Sequence, residues 1–525
     1  MTMTKLRPRL VSLLLGASLL SGCVVGPNYR QPVAPIATHF KEADGWTPAT
    51  PADAFAKGDW WTIFNDPVLD ALEQRVAVSN QTVAQYFYAY RNAHQLVKEA
   101  RSSYFPTLTG NAGATYSKSS SSNRTTTGGT TTGTTGTTTT GATGTTTTGS
   151  TGTTTTGTTG TTGTTGTTTG STVVSSGTSP IADFTASLDA SWVPDLWGQV
   201  RRQVESNTAS AQASAADIAN ERLIVQSELA QDYFQMRVLD DQATLYRDTV
   251  AAYNRSLQLT QNQYNAGVAA KSDVITAQSQ VLSAQAQLVD TGVVRAQMEH
   301  AIAMLVGVTP ADLAIAPAPL SRRVPVAPSD VASTLLERRP DIAGAERRVK
   351  AANALIGVEE AAFYPTVTLS ASYGYGATNL GDLFNASSSL WSLGSQLADT
   401  LIDAGARRAA VRAQRALADE QTAVYRQTVL AAFETVEDEL VALRVLEQEY
   451  EVRVQAETAA KQVQQLALNE YRAGLVNYTT VVTDQALALT ASQNVLTILQ
   501  ERLQASVALV QALGGGWDAK ELPKN

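Results

Sequence analysis

The sequence is short of the residues on which most protein chemistry depends. Its 525 residues hold one cysteine, Cys23, and three histidines, His39, His94 and His300, which do not cluster. A single cysteine excludes a disulfide within the chain, and scattered histidines leave a zinc or iron site little to work with. There is no HExxH, no GxSxG, no CxxC pair and no phosphate loop, so neither a metallohydrolase nor a nucleophilic triad has its parts. The formal net charge is -8, which argues against nucleic acid as a partner. Beyond the N-terminus no run of 18 apolar residues occurs, so no membrane-spanning helix is expected there.

What is present begins at the N-terminus. Lys5, Arg7 and Arg9 precede an 11-residue run, Leu10–Leu20. That run is too short to span a bilayer but has the length of a secretory signal core. It ends in Leu20-Ser21-Gly22-Cys23, a bacterial lipobox, with the only thiol of the chain placed to receive a diacylglycerol thioether. Residues 1–22 are therefore read as a lipoprotein signal peptide. Residues 23–65 are read as an N-terminal extension anchored by lipid on Cys23, with no other cofactor expected. Two lipid signals suffice for stable anchoring.

The chain then repeats itself. "EARSSYFPTLTGNAGATY" (99–116) resembles "EEAAFYPTVTLSASYGY" (359–375), with Pro106 matching Pro365 at an offset of 259. "NQYNAGV" (262–268) resembles "NEYRAGL" (469–475), with Gly267 matching Gly474 at an offset of 207. Gly198 and Gly405 keep the offset of 207, so it falls by 52 between the two stretches. The 48 residues Thr125–Thr172, which contain only Thr, Gly, Ser and Ala, lie in that interval. This tract is an insertion in the first copy and not a linker between copies. Its composition cannot offset the entropy of ordering, so a disordered loop over 118–180 is expected. Repeat one is placed at 66–306, a proline-rich linker at 307–330, repeat two at 331–513 and a tail at 514–525.

Each copy carries period-two alternation. Leu108, Ala112, Ala114 and Tyr116 oppose Thr107, Thr109, Asn111 and Thr115, and Phe184, Ala186, Leu188, Ala190 and Trp192 oppose Thr185, Ser187, Asp189 and Ser191. Copy two answers with Val367, Leu369, Ala371, Tyr373 and Tyr375, then Trp391, Leu393 and Leu397. This is the signature of membrane strands, apolar to lipid and polar to a lumen. The β-hairpins are placed at 107–193 and 366–398. Four strands cannot close a barrel, and open edges are not tolerated in lipid, so several chains must share one. A dimer supplies eight strands and a trimer twelve.

After each hairpin comes a proline-free helical stretch, 199–265 and 405–472, and then a return helix, 272–306 and 479–513; helices also precede the hairpins, the second at 331–363. Val429, Phe433, Val436, Leu440, Leu443, Glu447, Tyr450 and Val454 keep a 4,3 spacing, a coiled-coil seam. Leu229, Tyr233, Met236 and Asp240 repeat it, and Asp240 and Glu447 are read as solvated register residues.

At this point the chain resembles the TolC-like outer-membrane factors, in particular the lipoprotein branch typified by OprM and NodT. The resemblance rests on "LLERRPDIAGAERRVKAANALIGVEEAAFYPTVTL" (335–369), "CVVGPNY" (23–29), "WWTIFNDPVLDALEQRVAVSN" (60–80) and "ALGGGW" (512–517). It implies an α+β membrane protein with an internal tandem repeat. Long coiled-coil hairpins would form a periplasmic α-barrel, and two β-hairpins would give four strands to a shared trimeric 12-stranded β-barrel. It implies a homotrimer, outer-membrane lipids, a periplasmic adaptor (membrane fusion) protein and an inner-membrane transporter of the resistance-nodulation-division (RND) type as partners. The function implied is the exit duct of a tripartite efflux pump for drugs, solvents or other amphiphiles. A type I protein-secretion duct and a surface structural lipoprotein are the alternatives. No enzyme activity is expected. The periplasmic tip and gate fall by this resemblance at Tyr264, Gly267, Lys271 and Asp273, and at Tyr471, Arg472, Gly474, Tyr478 and Asp484. The family's "LDAQ" reads "VTDQ" here, with Thr483 in the acid position, so the gate is expected to rely on Tyr and Arg contacts more than on an acid ring.

Overall fold

The fold is taken from a computed structural model, which describes residues 24–34, 40–41, 59–118, 180–325, 339–515, 517 and 522–523. The signal segment, Cys23, the Thr/Gly loop and the first residues of the helix expected at 331 lie outside the described residues. Two compact units emerge. The larger comprises 1–106, 192–368 and 396–525, and the smaller comprises 107–191 and 369–395.

The larger unit is helical. A 3-10 turn, Trp60–Phe64, leads into α1 (Pro67–Ser79) and α2 (Gln81–Ser102). Pro67 at the first helical position and Asp66 before it start α1: the Asp66 carboxylate accepts from the N–H of Val68 and Leu69 at 2.9 and 3.3 Å. Asn80 caps α2 in the same way and donates to Leu305 O at 2.7 Å. The long helix α3 (Gln199–Asn265) turns back into α4 (Lys271–Val306). In the second repeat α5 (Pro340–Ala361) starts at its own proline, α6 (Ala406–Arg472) is the long helix, and α7 (Tyr478–Ala512) returns. Both long helices have 67 residues, about 100 Å at the α-helical rise.

The coiled-coil seams are buried as their spacing requires. Leu229, Met236, Val429, Val436 and Leu440 are wholly inaccessible, and Tyr233 nearly so. Full burial of such side chains contributes roughly 1.5–3 kcal/mol each. All but Val429 join Trp60, Trp61, Phe64, Leu69 and Val76 in the largest core among the described residues, which also holds Ile302 and Leu503; Val429 packs in a second cluster with Ile342, Val349 and Tyr425.

The acids in those seams differ from expectation in one case. Asp240 is buried, not solvated. Its carboxylate accepts from Arg237 Nη1 at 3.1 Å, Arg295 Nε at 2.7 Å and the N–H of Ala318 at 3.1 Å. Arg237 and Arg295 donate onward to the carbonyls of Ala316 and Ile315 at 2.8 and 2.6 Å, and Glu299 accepts from Ile315 N at 2.6 Å. Beyond a 3-10 turn at Pro310–Asp312, residues 313–325 of the proline-rich junction make no regular structure, so their backbone groups need outside partners, and this ionic cluster supplies them at Ile315, Ala316 and Ala318. Burial of both ions is sustainable because each is paired and hydrogen-bonded. Glu447 holds the same place in repeat two and also meets an arginine, Arg502, at 3.0 Å, but its side chain stays 59% exposed.

The smaller unit is one four-stranded sheet in the order β1 (Thr107–Ser117), β2 (Ile181–Trp192), β3 (Thr366–Ala377), β4 (Ser389–Ala398). β1 and β2 pair antiparallel from Thr107↔Ser191 to Ser117↔Ile181. The residues between Ser117 and Ile181 therefore leave and re-enter the sheet at one end of the hairpin.

Removing the hub should separate the two acids. Asp240→Ala leaves Arg237 buried without its counter-ion and should cost about 3–5 kcal/mol, whereas Glu447→Ala should cost under about 1 kcal/mol. Denaturant midpoints of the purified variants measure this; equal losses would refute the assigned roles.

Candidate functional site

Three regions carry the features that the sequence singles out. The first is the sheet, whose two faces differ. Leu108, Leu188, Trp391, Leu393 and Leu397 are 53–76% exposed on the apolar face. On the polar face Asn111 Nδ2 and Ser187 Oγ both donate to Asp189 Oδ2 at 2.8 Å. The strands carry two charges, Asp183 and Asp189, both negative. A sheet with an uncovered apolar face, a polar opposite face and strands of 10–12 residues matches a wall between lipid and an aqueous lumen. Among the described residues no helix is long and apolar enough to cross a membrane.

The second region lies where the strands give way to the long helices. Each repeat places an aspartate there. Asp195 accepts from the N–H of Val200 and Arg201, and Asp403 from the N–H of Gly405 and Arg407. The Arg407 side chain, with those N–H groups, holds the Asp403 carboxyl down at about 2. The N-terminal segment is fastened to the same level. Val25 N donates to Trp197 O at 3.0 Å, and Arg202, almost fully buried, donates to Val25 O, Gly26 O and Asn28 Oδ1. Val24 lies on Gly198, where a Cβ would come within 2.8 Å of its Cγ1. Further on, the Tyr29 hydroxyl donates to Glu346, and burial followed by that carboxylate pushes the phenol pKa up. Cys23 lies outside the described residues, but its neighbour Val24 is held six residues beyond Trp192, the end of β2.

The third region is the pair of helix turns. Gly267 and Gly474 adopt φ of 76° and 77°, a conformation open to glycine, and close their helices with matching bonds: Val268 N to Gln263 O and Leu475 N to Glu470 O, both 2.9 Å. Around these turns the predicted residues separate into two groups. Tyr471 and Tyr478 are 5% and 2% exposed and lie 5.3 Å apart, ring to ring. They cluster with Ala277 and Val481, and Tyr471 Oη donates to Thr260 Oγ1 at 3.4 Å. Tyr264, Lys271 and Arg472 are exposed, and Asp273 and Asp484 are half-buried. Arg472 reaches Asn469 on its own helix at 3.3 Å, and Ser272 Oγ donates to Asp273 at 3.4 Å. Thr483 is exposed and donates to Thr479 O, one position from Asp484.

Sequence reading missed the partners of those tyrosines. Thr260 and Ser256, one turn apart on α3, are buried, and Gln485 Nε2 donates to Ser256 Oγ at 2.9 Å. With Gln493 Nε2 to Tyr246 Oη at 2.6 Å, these bonds zip α3 to α7 across the two hairpins. The four-residue spacing of Ser256 and Thr260 was visible, but nothing along the chain pairs them with a helix more than 200 residues away. Among the described residues no group of three His, Cys, Asp or Glu is placed to hold a metal.

Comparison with known proteins agrees with this anatomy. The family model for "Outer membrane efflux protein" matches residues 154–308 and 331–515. The "Probable efflux pump outer membrane protein TtgC" of Pseudomonas putida is 27% identical over 514 residues, 97% of this chain and 96% of its own length. The "Pyoverdine export outer membrane protein OpmQ" of Pseudomonas aeruginosa is 28% identical over 511 residues, 96% of this chain and 97% of its own length. The fold superposes on the Campylobacter jejuni CmeC outer membrane channel with a TM-score of 0.79 at 20% identity, covering 95% of this chain and 96% of that one.

The tyrosine seam has a pH signature. Burial, with Tyr471, Tyr253 and Asp273 nearby, pushes the Tyr478 hydroxyl from 10.0 up to about 12. An acid whose pKa is higher folded than unfolded contributes its full stability below pH 10, and that contribution is lost as pH rises through 12. The stability advantage of the native chain over Tyr478→Phe should therefore shrink between pH 10 and pH 12. Denaturant midpoints across that range test it, and a constant difference would contradict the assignment.

Proposed function

Because this chain belongs to the outer membrane efflux protein family, we propose that it is the outer-membrane exit duct of a tripartite pump of the resistance-nodulation-division type. The duct exports drugs, solvents or other amphiphiles. The observation that carries this is the joining, in one duplicated chain, of a four-stranded sheet with an uncovered apolar face to two helical hairpins whose long arms reach about 100 Å. The sheet is the outer-membrane part. Its open edges, β1 and β4, are closed by two further copies, giving twelve strands from three chains. The hairpins reach into the periplasm toward an adaptor and an inner-membrane transporter.

The mechanism is passage without chemistry. Polar strand faces with Asp183 and Asp189 supply a wetted wall that does not retain amphiphiles. Closure is the work of the helix turns. Tyr471 and Tyr478 hold the two hairpins of one chain together, and the exposed Tyr264, Lys271 and Arg472, with the half-buried Asp273 and Asp484 beside them, face what lies outside the chain. Cys23 carries the lipid, and fastening of Val24 and Val25 beside Trp197 and Gly198 supports that reading.

Deletion of the gene should raise sensitivity to amphiphilic drugs and dyes, with full-length protein restoring resistance; unchanged sensitivity alongside lost surface attachment would favour a structural lipoprotein. In planar bilayers Arg472→Ala should leave conductance close to that of the parent, because its contact with Asn469 stays within one helix. A large rise would make Arg472 a latch.

A further inference from the structure

Where α3, α6 and α7 run side by side, a cavity of about 140 Å³ opens between the two hairpins of one chain. Two hydrogen bonds set the register around it. Gln485 meets Ser256 and Gln493 meets Tyr246, so α7 runs antiparallel to α3, with Ala488 opposite Ala252 and Ser492 opposite Asp248. Two facing alanines leave the gap that larger side chains would fill. Leu245, Leu489 and the buried ring of Tyr253 give it apolar walls.

Two polar groups on this lining have work left to do. Gln485 is 2% exposed, and its Nε2 donates to Ser256, but its Oε1 is buried and accepts from nothing among the described residues. A buried acceptor without a donor is uncommon in a folded chain. Asp248, exposed at the other end, has no ion-pair partner among the described residues. The lysine on the lining is already taken: Lys461 meets Glu457 at 2.6 Å, and Glu457 also accepts from Ser492 Oγ at 2.7 Å. The unused charge is therefore negative, and the unused hydrogen-bonding capacity is an acceptor. From Gln485 to the level of Ser492 and Asp248 is seven residues of helix, about 10 Å.

From this lining we propose that the cavity binds a small aromatic amine with a hydroxyl or amide donor at its far end. A cavity of this size takes a single aromatic ring. The ammonium pairs with Asp248, the ring lies in the gap between Ala252 and Ala488, and the far O–H or N–H donates to Gln485 Oε1. A carboxylate in the place of the ammonium would meet Asp248 with like charge, and a plain hydrocarbon would leave Gln485 unpaired. The site lies within one chain and does not depend on how copies assemble. A molecule in it touches both hairpins, so occupancy stabilises their joined arrangement.

Tyramine is the probe, titrated calorimetrically into the purified full-length protein in detergent. It should bind saturably, once per chain, and raise the melting temperature. 4-Ethylphenol, which keeps the ring and hydroxyl but lacks the ammonium, should bind about tenfold more weakly or worse. Asp248→Asn, at an exposed position, should bring tyramine down to the affinity of 4-ethylphenol. Ala252→Leu, which fills the gap, should abolish binding of both while the chain stays folded and melts no lower. Native protein that takes up no tyramine, its cavity holding water only, would overturn the site. Undiminished binding to Ala252→Leu would place the amine elsewhere and overturn it equally, and full affinity in Asp248→Asn would refute the recognition of the ammonium.

Discussion

A sheet that is apolar on one face and unpaired at both edges cannot stand alone in a membrane. Every backbone N–H and C=O in lipid needs a partner from protein, and an open edge leaves a row of them without one. β1 and β4 are such edges. This constraint makes the chain a fraction of a functional object. It also explains the chain's composition: strands that alternate strictly, turns rich in small residues, and helices whose remaining apolar positions await neighbours.

Duplication is the second organising fact. The two repeats keep the same skeleton, including a carboxylate between long and return helix with an arginine facing it: Asp240 with Arg295, and Glu447 with Arg502. Equivalent residues nevertheless sit in unequal surroundings. Asp240 is drawn inward because the proline-rich junction folds over it and presents an N–H, whereas Glu447 stays in solvent. Tyr471 is buried and Tyr264 is open for a comparable reason: one has the other hairpin against it, the other does not. Pseudo-symmetry within the chain thus turns burial differences into statements about what must come from outside.

Much of the architecture was legible along the chain. Period-two alternation placed the strands, a 4,3 spacing placed the coiled-coil seams, and Gly267 and Gly474 marked the turns, because each is a local pattern with one geometric solution. The repeat offsets placed the Thr/Gly tract inside the first hairpin, and Ser117↔Ile181 pairing brackets it there. The candidate site was legible as positions but not as roles. Tyr264 and Tyr471 read alike in sequence, as did Asp240 and Glu447, since burial is decided by partners hundreds of residues away.

By itself the sequence determined the class of object: a duplicated chain with a lipobox, membrane strands too few to close, and helices too long for a globule. These follow from periodicity, composition and length, which act between near neighbours. Only the tertiary structure decided which tyrosines are internal ties, that Asp240 anchors the junction between repeats, and that Val24 and Val25 are fastened to Trp197 and Gly198. Those outcomes depend on hydrogen bonds and ion pairs between segments 55 to 317 residues apart, where no local pattern reaches.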